Sequence, residues 1–177
     1  MKTTKISRLV LSTAALLAVT LSLSAGETKP AKAASPEFER LKTLIGTWTG
    51  KTDMGQGPVE MNITYQLIAG GSVLEERVFA GTPQEMTTMY YDKGGRLTAT
   101  HYCVMGNQPQ FLLKSSDAKS ISFDFDATCG IDTTKESHMH GLKIVFNDAD
   151  TVTTSCQAFM DGKEVPEHET VLKRVKK

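Results

Sequence analysis

The 177-residue sequence predicts an all-β protein: about ten antiparallel strands closing as an up-and-down barrel, with a short N-terminal helix capping one end. Three observations carry that expectation. From Val59 onward apolar residues recur with a period of two, the signature of strands with one buried and one wet face. Short stretches rich in Gly, Asn and Asp separate the runs, and no helical repeat follows Gly46. A succession of such ribbons exposes edges unless the sheet closes on itself, and closure removes them altogether. A β-sandwich is the second architecture that the turn spacing permits.

Residues 1–25 precede the fold. Lys2, Lys5 and Arg8 stand ahead of the apolar run Leu9 to Leu23, which ends in small residues around Ser24 and Ala25, the pattern of a secretory signal peptide. The run is short and rich in Ser and Thr for a membrane span, which needs about 20 predominantly apolar residues. Cleavage is expected after Ala25, or else at Ala33 or Ala34, and residues 26–34 read as an Ala, Lys and Pro linker. Residues 35–177 form the barrel domain, of a size that buries a real core.

Ser35-Pro36 followed by EFERLKTLIG predicts the helix, with Ser35 at the N-cap, Pro36 at the first helical position and Gly46 beyond the end. Phe38, Leu41 and Ile45 then share a face. In Gly46-Thr47-Trp48-Thr49-Gly50 two glycines bracket the single tryptophan. Val59 to Leu67 alternates regularly; Ala69-Gly70-Gly71 turns the chain into Val73 to Phe79. Met86 to Tyr91, Leu97 to Val104, Gln110 to Lys114 and Ser120 to Asp126 follow, with turns at Asp92 to Gly95 and Gly106 to Pro109. A loop over Thr128 to Lys135 leads to the strand His138 to Phe146, and then come Val152 to Phe159 and Val165 to Val175.

Charge narrows the function classes. Removing Lys2, Lys5 and Arg8 from the 20 basic residues leaves 17 against 20 acidic ones, a balance that argues against nucleic acid and anionic membrane surfaces. No membrane insertion is expected after signal removal. The destination is periplasmic or secreted, so the three cysteines enter an oxidising compartment where one internal pair can form. Cys103 and Cys129 end on the same side of a meander and are the easiest bridge, leaving Cys156 mid-strand.

The stretch LTATHYCVMGNQPQF concentrates the chemistry. As a strand it puts Leu97, Ala99, His101 and Cys103 on one face. The same period puts His138 and His140 on the face of Leu142, Ile144 and Phe146, toward the lumen. Two imidazoles two residues apart can reach one metal ion, and His101 is the candidate third ligand; core histidines satisfied by their neighbours are the commoner explanation. Asn107 and Gln108, beside Gly106 and Pro109, read as turn chemistry, with a ligand-contacting role at the barrel mouth as the alternative. His168 reads as a rim residue.

A short helix, then GTWTG, then a strand meander resembles the calycin-like barrels, which include lipocalins, fatty-acid-binding proteins and nitrobindin-like proteins. The combination of LIGTWTG, LTATHYCVMGNQP, HMH and DGKEVPEHETVLKRV is similar to an exported bacterial lipocalin-like family of undefined function, DUF1579-like, over roughly Phe38 to Val175. The resemblance implies a barrel with its helix across one end and Trp48 beneath it, and implies no activity. Lipocalins hold small apolar ligands, and nitrobindin-like barrels hold haem through a histidine on a late strand. Lys51-Thr52-Asp53 stands here where nitrobindins continue with glycines.

The leading functional expectation is a carrier whose interior, lined by Trp48, Tyr65, Phe79, Phe123, Phe125 and Phe146, holds a small apolar or amphipathic molecule. His101, Cys103, Asn107, Gln108, His138 and His140 are the polar residues expected to touch it. The alternatives are a metal or haem protein using His138 and His140 with His101, and a filled barrel acting as an interaction module. No carboxylate pair, nucleophile elbow, phosphate loop or zinc signature points to an enzyme.

Overall fold

A computed structural model of the protein describes residues 34–53 and 57–176. The predicted signal peptide and all of the predicted linker except Ala34 lie outside the described residues. The helix α1 (Pro36–Leu41) passes into one 3-10 turn, Lys42–Leu44. Ser35 caps α1 by accepting a hydrogen bond from the Phe38 N–H at 3.1 Å. The helix ends short of Gly46. The indole N–H of Trp48 takes the Leu44 carbonyl at 2.7 Å, so helix end and tryptophan are fastened together.

Ten strands follow: β1 (Gly46–Asp53), β2 (Pro58–Ile68), β3 (Val73–Val78), β4 (Met86–Lys93), β5 (Arg96–Tyr102), β6 (Gln110–Ser116), β7 (Ser120–Phe125), β8 (His138–Phe146), β9 (Thr151–Met160) and β10 (Lys163–Arg174). Each pairs antiparallel with its neighbours in sequence, and β1 pairs with β10 to close the barrel. The closure needs a glycine. In the Gly50↔Leu172 register a Cβ on Gly50 would lie 2.4 Å from the Val171 carbonyl oxygen, far inside contact distance. Gly46, at φ +127°, makes the turn from helix to strand that an L side chain would resist.

Because strands alternate in direction, α1 marks one end of the barrel. Ser35 donates through its backbone N–H and hydroxyl to Asp92, at 2.6 and 2.7 Å, near the β4–β5 turn. Arg40 reaches the β6–β7 turn, donating to the carbonyls of Asp117 and Ser120. Arg174 donates to the carbonyls of Ile45 and Thr43 at 2.8 and 2.7 Å and lies 4.2 Å over the Trp48 ring. Beneath this cap Phe38, Leu41 and Leu44 join Trp48, Leu74, Leu97, Ile121, Ile144, Val152 and Leu172 in the core. Each such burial contributes about 1.5–3 kcal/mol.

Candidate functional site

The half of the barrel away from α1 is hollow. A cavity of about 480 Å³ lies among residues from the far ends of the strands, including Thr52, Val78, Met86 and Met160, and from the turn after β5, Cys103 to Met105. Its size falls within the range of small-molecule sites. The lining explains the space. Met61, Met86, Met105, Met139 and Met160 supply flexible thioethers, Thr154, Ser155, Ala158 and Thr170 are small, and among the described residues no Phe, Tyr, Trp, Lys or Arg side chain contributes.

One row of paired residues brings polar chemistry to the wall. Tyr65↔Glu76, Glu76↔Thr88 and Thr88↔His101 are successive register partners across β2, β3, β4 and β5, so all four project inward side by side. Glu76 is only 8% exposed. Its carboxylate accepts hydrogen bonds from the Tyr90 hydroxyl at 2.9 Å and the Thr88 hydroxyl at 3.1 Å. Thr88 Oγ1 also lies 2.9 Å from His101 Nδ1. The Tyr65 hydroxyl, buried beside Glu76, has no hydrogen-bond partner of normal geometry.

Burial governs the protonation of this cluster. It raises the Glu76 pKa above the usual carboxylate range, against the opposing effect of the surrounding hydroxyls. Desolvation, and then the nearby Glu76 charge, raise Tyr65 and Tyr90 well above the usual phenol value. His101 is pushed down to about 4 by burial, so its imidazole is neutral near pH 7. With the Thr88 proton directed to Glu76, Thr88 oxygen accepts from His101 Nδ1–H, and Nε2 is left as a bare acceptor.

Two of the residues expected to meet a ligand, His101 and Cys103, line the cavity, as does the rim residue His168. Trp48 and Phe123 belong to the core, Phe123 with its ring 5.9 Å from Tyr90. Phe146 lies beneath the Arg40 guanidinium at 4.9 Å, and Phe79 sits past the end of β3 at φ +53°. Asn107 donates to the Ser137 carbonyl at 2.9 Å and Gln108 to Gly106 at 3.4 Å, so both side chains tie loops at the open end and neither lines the cavity.

His138 and His140 depart from the expected lumen-facing geometry. A register shift between Met139 and Gly141 on β8 breaks the two-residue phase, so Met139 and Leu142 line the cavity and the two imidazoles do not. Instead His138 Nε2 and His140 Nδ1 hydrogen-bond each other at 2.9 Å, with His138 Nδ1 on the Glu136 carbonyl at 2.7 Å. Phe125 stacks on His140 and Phe159 on His138, at 4.8 and 5.6 Å. Nitrogens that face each other do not converge on an ion, and His101 stands apart on β5. Among the described residues no group of three His, Cys, Asp or Glu side chains is arranged to hold a metal.

The expected Cys103–Cys129 bridge is also absent, and all three thiols are free. Cys103 faces the cavity, whereas Cys129 sits in the loop after β7, in a turn closed by its N–H on the Asp126 carbonyl. Cys156 faces the same cavity as Cys103, and burial raises the pKa of both. Sequence reasoning passed over Glu76, Thr88 and Tyr90. The available signal was Leu74-x-Glu76-x-Val78, a carboxylate in phase with two buried aliphatics, partly hidden by Glu75 beside it.

No protein-family model and no curated protein matches the chain. Among solved structures it is similar to a protein of unknown function from the DUF3598 family of Nostoc punctiforme, at 15% identity and a TM-score of 0.53. That match covers 76% of this chain and 48% of the other, so the chain spans about half the length of that relative. The likeness concerns the fold alone, and the closed antiparallel barrel fits a calycin-like architecture.

Proposed function

We propose that the protein is an exported carrier that holds one small apolar or amphipathic molecule in the open half of its barrel. The single observation behind this reading is the cavity of about 480 Å³, walled by methionines and small residues where a filled barrel would carry aromatic ones. Five thioethers around one space adapt to ligands of varied shape. Export rests on the N-terminal charge and apolar pattern, and the finer likeness to the DUF1579 family rests on the motifs quoted above. The reading puts ligand exchange at the end opposite α1, where Val104, Met105 and Met160 are both exposed and part of the cavity wall.

Ala158 tests the proposal, because its small side chain lines the cavity and it is not one of the buried core residues. Ala158→Phe fills the space with a ring. An apolar fluorescent dye that brightens on entering the parent barrel is expected to lose at least tenfold in affinity for the variant, while circular dichroism shows the same fold. Equal dye binding by both proteins would overturn the internal site.

A further inference from the structure

The polar wall selects a class of ligand, and this selection rests on the carrier reading above. Glu76 is a buried carboxylate on the cavity wall, and among the described residues no lysine or arginine lines the cavity and no ion pair includes it. Burial without a cation penalises the ionised form and raises the Glu76 pKa, and a cation brought beside it reverses that penalty and holds the carboxylate ionised. Here the space for a counter-ion is the cavity itself.

We propose that the cavity takes a primary amine on an apolar body, its ammonium group seated between the Glu76 carboxylate and the His101 imidazole. The donor and acceptor inventory fits that head group. Tyr90 and Thr88 spend their hydroxyl protons on Glu76, and Thr88 receives the Nδ1 proton of His101. Apart from the Tyr65 hydroxyl, which is buried beside Glu76 and does not line the cavity, what this wall presents is acceptors: carboxylate lone pairs and His101 Nε2, with one hydroxyl bridging the two residues. An ammonium has three donors and no acceptor. A hydroxyl head offers one donor to the same wall and leaves the Glu76 charge uncompensated, and a carboxylate head brings a second negative charge against it. The polarity is opposite to that of a pocket for fatty-acid anions, which requires a cation.

Three probes of one chain length separate these cases: decylamine, decanol and decanoate, each titrated near neutral pH by displacement of the apolar dye. The amine is expected to bind at least tenfold tighter than the alcohol, and the carboxylate weakest. Glu76→Gln is expected to bring the amine down to the alcohol's affinity while leaving the alcohol unchanged. Where that variant does not fold, nitrogen NMR of His101 in the parent protein decides: the proposal requires the Nδ1–H tautomer, with the Nε2 resonance moving when decylamine binds and not with decanoate. Alcohol or carboxylate binding as tightly as amine would sink the ammonium assignment and leave the carrier reading intact. Failure of all three probes, with the dye also unbound, would remove both.

Discussion

The two halves of this barrel share ten strands and one alternation, yet one is solid and the other hollow. In the helix-capped half the inward positions are Trp48, Leu74, Leu97, Ile121, Ile144, Val152 and Leu172, all buried and all closed over by Phe38, Leu41 and Leu44. In the open half the same faces carry Thr52, Met86, Cys103, Thr154, Ala158 and Met160. Backbone geometry does not differ between them in kind. The size and stiffness of inward side chains decide whether a barrel of this girth holds a core or a ligand.

The sharpest way to break the comparison is at Trp48, which is 1% exposed, bonded to Leu44 and covered by Arg174. Trp48→Ala is expected to cost about 3–5 kcal/mol in equilibrium urea unfolding, because the rigid cap above it does not collapse into the void. A loss below about 1 kcal/mol would show that the capped half is not the source of stability.

The pH dependence tests the wall between the halves. His101 has a folded pKa of about 4 against an ordinary value near 6.5. Between those values the unfolded chain binds the extra proton, so stability present above pH 6.5 is lost as pH falls toward 4, by up to about 3 kcal/mol. Glu76 works in the other direction: its raised pKa favours the folded state toward acid and disfavours it as pH rises through the folded value. The two are separated by difference. His101→Gln, compared with the parent in urea titrations across that window, should flatten the acid side of the curve, and parallel curves would show that His101 titrates as freely in the fold as outside it.

The sequence carried the capped half better than the open one. Ser35, Pro36 and Gly46 announce the helix and its ends, and the alternation of Met61, Ile63 and Tyr65 sets which faces are inside. The site was less legible for two physical reasons. The Tyr65, Glu76, Thr88 and His101 row exists only through register across four strands, and one strand's period says nothing about its partner's offset. The HMH stretch misled because a bulge adds a residue that periodicity counts as regular, turning two imidazoles away from the cavity. The thiol pairing failed similarly, since sharing one end of a meander does not bring a lumen-facing Cys103 to the loop that carries Cys129.

The smallest effect on stability is expected where the cavity meets solvent. Met105, 38% exposed, lines the cavity from the turn after β5 and belongs to no core cluster. Met105→Ala therefore removes little area that folding buries, and its midpoint in urea should stay within about 0.5 kcal/mol of the parent. The same side chain forms part of the apolar rim with Val104 and Met160, so its loss opens the mouth. Dye release measured by stopped flow should speed several-fold while Trp48→Ala, at the far end, leaves the release rate of the folded fraction near the parent value. An inverted outcome, with exit governed from the capped end, would mean that ligands pass under α1 and that the rim is only surface.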